Sequence, residues 1–184
     1  ACADFILESS QEASRSGDAV DVLVMARTGR AYGLEIKEFE KRLRFVLRRH
    51  RDQPRDSSAT AIKMEVMTVH QAKGKGAHTV IVLDCTEKQF PKIHADNQLF
   101  EPFGVTMKDV LDEERRLFYV AVTRAKHRLM LLTEGEKESS FLRELGISSG
   151  LDQLIARVDC CDRAPEIPLG EIARAIHRRM NHLN

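Results

Sequence analysis

An α/β domain built around a mainly parallel β-sheet flanked by helices is the fold class this sequence predicts. Three observations carry the expectation. Short apolar runs rich in β-branched residues recur along the chain. Amphipathic runs of helical period and irregular loops separate them. Residues 78–85 (HTVIVLDC) are apolar almost throughout, as in a strand covered on both faces. At 184 residues, 42% hydrophobic and 31% charged, the chain matches one ordinary soluble globular domain, or one and a fraction, with a real core.

The elements follow from local pattern. AVDVLVMAR (19–27) is β-rich and apolar after the turn-like SRSGD, so it predicts a strand. GLEIKEFEKRLRFVLRRHR (33–51) places Ile36, Phe39, Leu43, Val46, Leu47 and His50 at helical spacing. Its other faces carry Lys37, Lys41, Arg42, Arg44, Arg48, Arg49 and Arg51. DQPRDSSAT (52–60) is a loop by its Pro, Ser and Asp content. IKMEVMTV (62–69) alternates as a strand does, and 78–85 is the next strand. Residues 86–105, with Pro91, Pro102 and Gly104, are irregular. Thr106 followed three positions later by Asp109 resembles a capping box that would open a helix, and Leu111, Phe118, Val122 and Ala125 mark one of its faces. HRLMLLT (127–133) predicts another strand, ESSFLREL a short helix, and 170–183 a basic amphipathic helix. For both basic helix faces a solvated surface is the default, and a DNA or domain contact is the alternative.

Composition narrows the chemistry. With 29 basic and 28 acidic side chains, no global field attracts nucleic acid, so any polyanion site must be a local patch. No apolar run approaches the roughly 20 residues of a membrane span, and the first residues, ACADFILESS, lack the pattern of a signal peptide. No membrane partner is expected. The absence of an initiator Met points to a processed chain or an excised piece. Cys2, Cys85, Cys160 and Cys161 form no C-x-x-C pair, so no metal site is expected and a reducing cytoplasmic setting fits best. Cys85 closes a strand pattern and reads as a buried small hydrophobe.

In an open parallel sheet, ligands sit beyond the carboxyl ends of the strands. That rule gathers Arg27, residues 70–76 and the loop after Asp84, and it adds Arg124 if the preceding helix ends at the same edge. TVHQAKGKGAHTVIVLDC (68–85) is not a P-loop, because GKG is followed by Ala77 rather than by the hydroxyl residue that Mg²⁺ requires. Asp84, in a strand that imitates a Walker B, therefore has no nucleotide of its own to serve. Glu113 and Glu114 are adjacent on a helix and point about 100° apart. They are expected to pair along the helix or to complement its dipole.

Taken together, VMTVHQAKGKGAHTVIVLD and DEERRLFYVAVTRAKHRLML resemble motifs V and VI of the UvrD/Rep-type superfamily 1 DNA helicases. Motif V in that family runs T-[hydrophobic]-H-x-A/S-K-G, then a strand and an acidic loop ending in F-P. Here Thr68, Val69, His70, Ala72, Lys73 and Gly74 match, followed by TEKQFP (86–91). Motif VI reads E-E-R-R-L-x-Y-V-x-x-T-R-A, matched by Glu113, Glu114, Arg115, Arg116, Leu117, Tyr119, Val120, Thr123, Arg124 and Ala125. VLVMART (22–28) resembles motif IV more weakly. The resemblance spans about residues 20–135.

The resemblance implies a three-layer RecA-like domain over residues 1–150, the second of two in a helicase, with 151–184 as a C-terminal helical extension. ATP and Mg²⁺ would lie between it and an N-terminal P-loop RecA-like domain of the same polypeptide, which would hold most of the nucleotide. Arg27 and Arg124 would reach the γ-phosphate as catalytic arginines, a role suited to a permanently charged fork. Lys73, Gly74, Gly76 and Tyr119 would line the nucleotide side. Thr68 and His70 would contact single-stranded DNA.

Three departures qualify the match. Lys75 and Gly76 replace a Leu-Glu pair whose acid lies near the ribose, and Ala26 replaces a Tyr that stacks on the base. The short stretch between motifs IV and V also implies that the large inserted domain of many relatives is absent or reduced. Alone, the chain is expected neither to hydrolyse ATP nor to unwind DNA. The alternatives are a stand-alone, non-catalytic helicase-like module that binds DNA or protein, and a repair subunit with degenerate chemistry.

Overall fold

The structure, a computed structural model, describes residues 2–14, 20–51, 61–94, 106–134 and 137–149. The loop 52–60, the later part of the irregular stretch and the helix expected at 170–183 lie outside the described residues, as does the C-terminal extension 151–184. In chain order the elements are α1 (Cys2–Ser14), β1 (Val20–Ala26), β2 (Arg30–Ala31), β3 (Leu34–Glu35), α2 (Ile36–Arg51), β4 (Ile62–Thr68), β5 (Ala77–Leu83), α3 (Met107–Val122), β6 (Ala125–Leu131) and α4 (Ser140–Ser149).

The apolar runs become a four-stranded sheet in the order β4-β1-β5-β6, with every neighbouring pair parallel. The two strands with the most continuous apolar runs, β1 and β5, take the central places, where both faces are covered. One face packs Val20, Val22, Val24, Ile81 and Leu83 against α1 (Phe5, Ile6) and α2 (Phe39, Leu43). The other packs Leu23, Met25, Val80 and Val82 against α3 (Phe118, Ala121, Val122) and α4 (Phe141, Leu145). Helices on both faces make three layers. Ala77 shares a face with Val80 although three positions separate them, because the β5–β6 register shifts between Ala77 and Thr79.

Two elements were not apparent in the sequence. α1 covers the first face and is fastened to β6 by Arg128, which lies over the Phe5 ring and pairs with Glu8 and Glu12. The run expected to be helical from residue 33 instead begins with a β2–β3 hairpin, and α2 starts at Ile36. The reason is the Tyr32–Gly33 turn, where both residues have positive φ (50° and 76°). This is the backbone that two-residue hairpins need.

Tyr32 is a bulky residue in left-handed backbone, and so is Asp84 at φ 57°. Each compensates the other. The Tyr32 N–H donates to Asp84 Oδ2 at 2.8 Å, and the Asp84 N–H donates to the Tyr32 hydroxyl at 3.0 Å. The remaining carboxylate oxygen of Asp84 accepts from the Thr86 hydroxyl at 3.0 Å, so this aspartate is committed to structure. Burial raises the Tyr32 phenol well above its ordinary value. Cys85, next in sequence, is fully buried, and its thiol is likewise pushed up by burial and then by Asp84.

Tyr32→Phe removes the acceptor of the Asp84 N–H. Urea unfolding is expected to show a loss of about 1–3 kcal/mol, and an unchanged midpoint would mean that this bond contributes nothing.

Candidate functional site

The residues singled out by sequence fall at two opposite edges of the sheet, and one segment joins them. Thr68 ends β4 level with Ala26 at the carboxyl edge. Ala77 opens β5 level with Ala125 at the amino edge. Residues 69–76 therefore run the length of the sheet, roughly 20 Å for strands of this size. Val69 and Ala72 are fully buried and anchor the crossing in the core, while His70, Lys73, Gly74, Lys75 and Gly76 remain exposed.

The crossing is wound rather than extended. The Ala72 N–H donates to the Thr68 carbonyl and the Lys75 N–H to the Ala72 carbonyl, at 3.2 and 3.0 Å. Gly74 turns the chain at φ +82°, where a side chain would be strained. At its start, the Thr68 N–H and hydroxyl both donate to Gln71 Oε1, at 3.0 and 3.1 Å. Gly76 is under no such constraint. A Cβ there would meet Lys126 Cε at 3.4 Å and the Arg124 carbonyl at 3.6 Å, which is ordinary contact.

Arg124 lies at the amino edge, away from the carboxyl-edge group that topology had been expected to gather. The physical reason is the parallel sheet. α3 has to return from the carboxyl edge before β6 can start beside β5, so the residue between them sits where the strands begin. Its guanidinium is held by three oxygens: Nε donates to the Val120 carbonyl (2.9 Å), Nη1 to the Lys75 carbonyl (3.2 Å) and Nη2 to the Thr123 hydroxyl (3.3 Å). Its own carbonyl accepts the Ala77 N–H at 3.0 Å. Among the described residues no carboxylate pairs with it, so its charge is compensated only by carbonyl and hydroxyl dipoles, including those ending α3. Tyr119 packs half-buried against the core nearby, and its carbonyl accepts from the Thr123 N–H and hydroxyl.

The carboxyl edge is organised differently. Arg27, just past β1, presents a fork to Glu114, with Nε to Oε2 at 2.9 Å and Nη2 to Oε1 at 2.5 Å. The Lys92 N–H adds a third bond to Oε2 at 3.1 Å. This corrects the expectation that Glu114 pairs along its own helix; its partner is 87 positions away. Glu114 lies four and seven positions before Phe118 and Ala121 on the buried stripe of α3, so its carboxylate is turned inward. That stripe was visible in the sequence, and an acid within it was the available signal. Nη1 of Arg27 has no partner among the described residues.

Other charges of the same helix are structural. Arg115 pairs with Asp112 and with Glu144 of α4 and lies over the Phe141 ring at 5.3 Å. The Thr106–Asp109 capping box is present in full. No group of His, Cys, Asp and Glu among the described residues could hold a metal ion, and no helix among them is long and apolar enough to cross a membrane.

The model of the UvrD-like helicase C-terminal domain family matches residues 22–135. The chain is 33% identical over 126 residues to DNA helicase IV of Escherichia coli (strain K12), covering 64% of this chain and 18% of that protein. It is 37% identical over 78 residues to a protein of Mycoplasma pneumoniae named "Probable DNA helicase", covering 42% of this chain and 13% of that one. The chain thus spans less than a fifth of either relative. A solved structure, the C-terminal domain of a possible DNA helicase from Lactobacillus plantarum WCFS1, is similar at 18% identity and a TM-score of 0.39, covering 76% of this chain and 70% of that one.

The Arg27–Glu114 fork is nearly buried, with side-chain exposures of 16% and 9%. Glu114→Ala would leave the guanidinium uncompensated and is expected to destabilise the domain by about 3 kcal/mol. Glu113→Ala, on the exposed face, should stay within about 0.5 kcal/mol. Urea unfolding of the two variants side by side tests the assignment.

Proposed function

The chain belongs to the UvrD-like helicase C-terminal domain family, and from that premise we propose that it is the second RecA-like motor domain of an ATP-dependent DNA helicase. It would complete a nucleotide site whose P-loop and Mg²⁺ ligands lie in another domain of the same polypeptide. The observation that supports this reading best is the 69–76 crossing. It joins an arginine with no carboxylate partner among the described residues, at one edge, to Thr68 and His70 at the other.

At the amino edge, Arg124 is the catalytic arginine. Its three oxygen contacts fix the guanidinium without neutralising it, as a residue that must meet phosphoryl oxygens requires. Lys73, Gly74 and Gly76 border the same segment on the nucleotide side, and Tyr119 supports the helix end from below. With Lys75 and Gly76 where relatives carry an acid, this chain offers no carboxylate to a ribose. Arg27 is at the far edge, with two nitrogens committed to Glu114. It is assigned to positioning β1 against α3 rather than to the phosphate that Arg124 meets.

The coupling follows from one hydrogen bond. Arg124 Nη1 holds the Lys75 carbonyl at 3.2 Å. A phosphoryl oxygen arriving at the cleft competes for that donor and releases the end of the crossing, whose other end carries Thr68 and His70. Contacts from a hydroxyl and an imidazole to backbone phosphates would position the strand without reading its sequence, as a translocating domain requires.

In the full-length protein, Arg124→Ala is expected to lower DNA-stimulated ATP hydrolysis by about 10³-fold or more. Arg124→Lys should not restore it, because an ammonium cannot present a fork. The 184-residue chain alone is expected to have no ATPase activity. Hydrolysis that survives Arg124→Ala would overturn the reading.

A further inference from the structure

Phe45 is 62% exposed in the middle of α2, although the apolar stripe of that helix is already used. Ile36, Phe39, Leu43 and Leu47 pack into the core, and the Arg44 Nη2 donates to the Met64 carbonyl at 2.7 Å, pinning the helix against edge strand β4. The ring therefore points outward from a fixed support. Residues three and four positions away are its neighbours on a helix surface. For Phe45 these are Lys41, Arg42, Arg48 and Arg49, all basic and all exposed. Arg42 pairs with Glu38 in a wide-open i,i+4 contact at 3.1 Å. Lys41, Arg48 and Arg49 have no carboxylate partner among the described residues.

We propose that this outer face of α2 is a second single-stranded nucleic-acid contact, with a base stacked on Phe45 and backbone phosphates on the four surrounding cations. The helix carries seven basic and two acidic side chains, in a chain whose net charge is only +1. Four of the seven basic residues surround Phe45, a local cluster of the kind a polyanion site requires. Aromatic rings framed by cations bind single strands because every unpaired base offers a flat face and every link a phosphate. A duplex hides its base faces and would use the cations alone. An anionic membrane would need the apolar stripe of the helix, which here is buried in the core.

The surface is distinct from the motif V contact. α2 runs back from the carboxyl edge toward the amino edge, and the bond from Arg44, the residue before Phe45, to the Met64 carbonyl sets this part of the helix beside the early part of β4. Thr68 lies four residues further along that strand, about 13 Å. From the preceding proposal this one takes only the class of ligand.

The test is fluorescence anisotropy of the 184-residue chain with a labelled single-stranded oligothymidine and with a labelled hairpin duplex, across a salt series. Phe45→Ala is expected to weaken single-strand binding about tenfold, with little effect on the duplex. Phe45→Leu, which keeps an apolar side chain, should weaken it similarly. The double variant Arg48→Gln/Arg49→Gln should weaken both ligands and reduce the single-strand slope of log K against log salt by about 1.4. Circular dichroism melting should leave all three variants at the parent midpoint.

Unchanged single-strand affinity in the Phe45 and arginine variants would overturn the proposal. If Thr68→Ala and His70→Ala then abolish binding, the motif V reading stands alone. Binding lost in the α2 variants but kept in Thr68→Ala and His70→Ala upholds this proposal and removes the motif V contact. Equal weakening of single strand and duplex by Phe45→Ala, or tighter binding to poly-glutamate or phosphatidylserine vesicles than to oligothymidine, would also overturn it.

Discussion

Parallel pairing of all four strands is the constraint on which the rest of the structure depends. A parallel neighbour can begin only after the chain has travelled back to the amino edge, so every connection must cross the sheet. For β1 to β4 the return is made by α2, and for β5 to β6 by α3. For β4 to β5 it is made by residues 69–76, with Val69 and Ala72 as buried pivots and Gly74 as the turn. One short segment therefore has an end at each edge.

Ion pairing then sets the geometry at the two edges in opposite ways. At the carboxyl edge, Glu114 takes up the Arg27 fork and a backbone N–H, giving a nearly buried charge cluster with its partners in place. Pairs of this kind contribute little to net stability but cost much when one member is removed. At the amino edge, Arg124 is oriented by carbonyls and a hydroxyl, which fix direction without cancelling charge. The contrast separates an arginine forked to a carboxylate from one with no carboxylate partner among the described residues. Asp84 and Tyr32 belong with the first kind, since their hydrogen bonds compensate two left-handed residues and leave the carboxylate occupied.

Much of this was legible in the sequence, and the misses have identifiable physical causes. Each expected strand appears within about two residues of its predicted bounds: the central strands β1 and β5 are near-continuous apolar runs, and the edge strand β4 alternates. The Thr106–Asp109 cap is a local interaction between neighbours, and it formed as its pattern indicates. The start of α2 moved from 33 to Ile36 because Tyr32–Gly33 makes a hairpin turn, and Tyr32 occupies it through a hydrogen-bond partner 52 positions away. The Glu114 partner was missed for the same kind of reason. A buried acid on a helical stripe announces that it has a partner, but not which one.

By itself the sequence determined the alternation of strands and helices, the capping box, the motif residues and the family they belong to. All of these are encoded in periodicity or in spacings of a few residues. Only the tertiary structure decided which edge each residue occupies. Arg27 and Arg124 belong to similar strand-flanking motifs, yet one follows a strand and the other precedes one, and in a parallel sheet those positions are a strand's length apart. Edge placement depends on strand direction and register, which are set by pairing between segments distant in the chain. No local pattern carries that information.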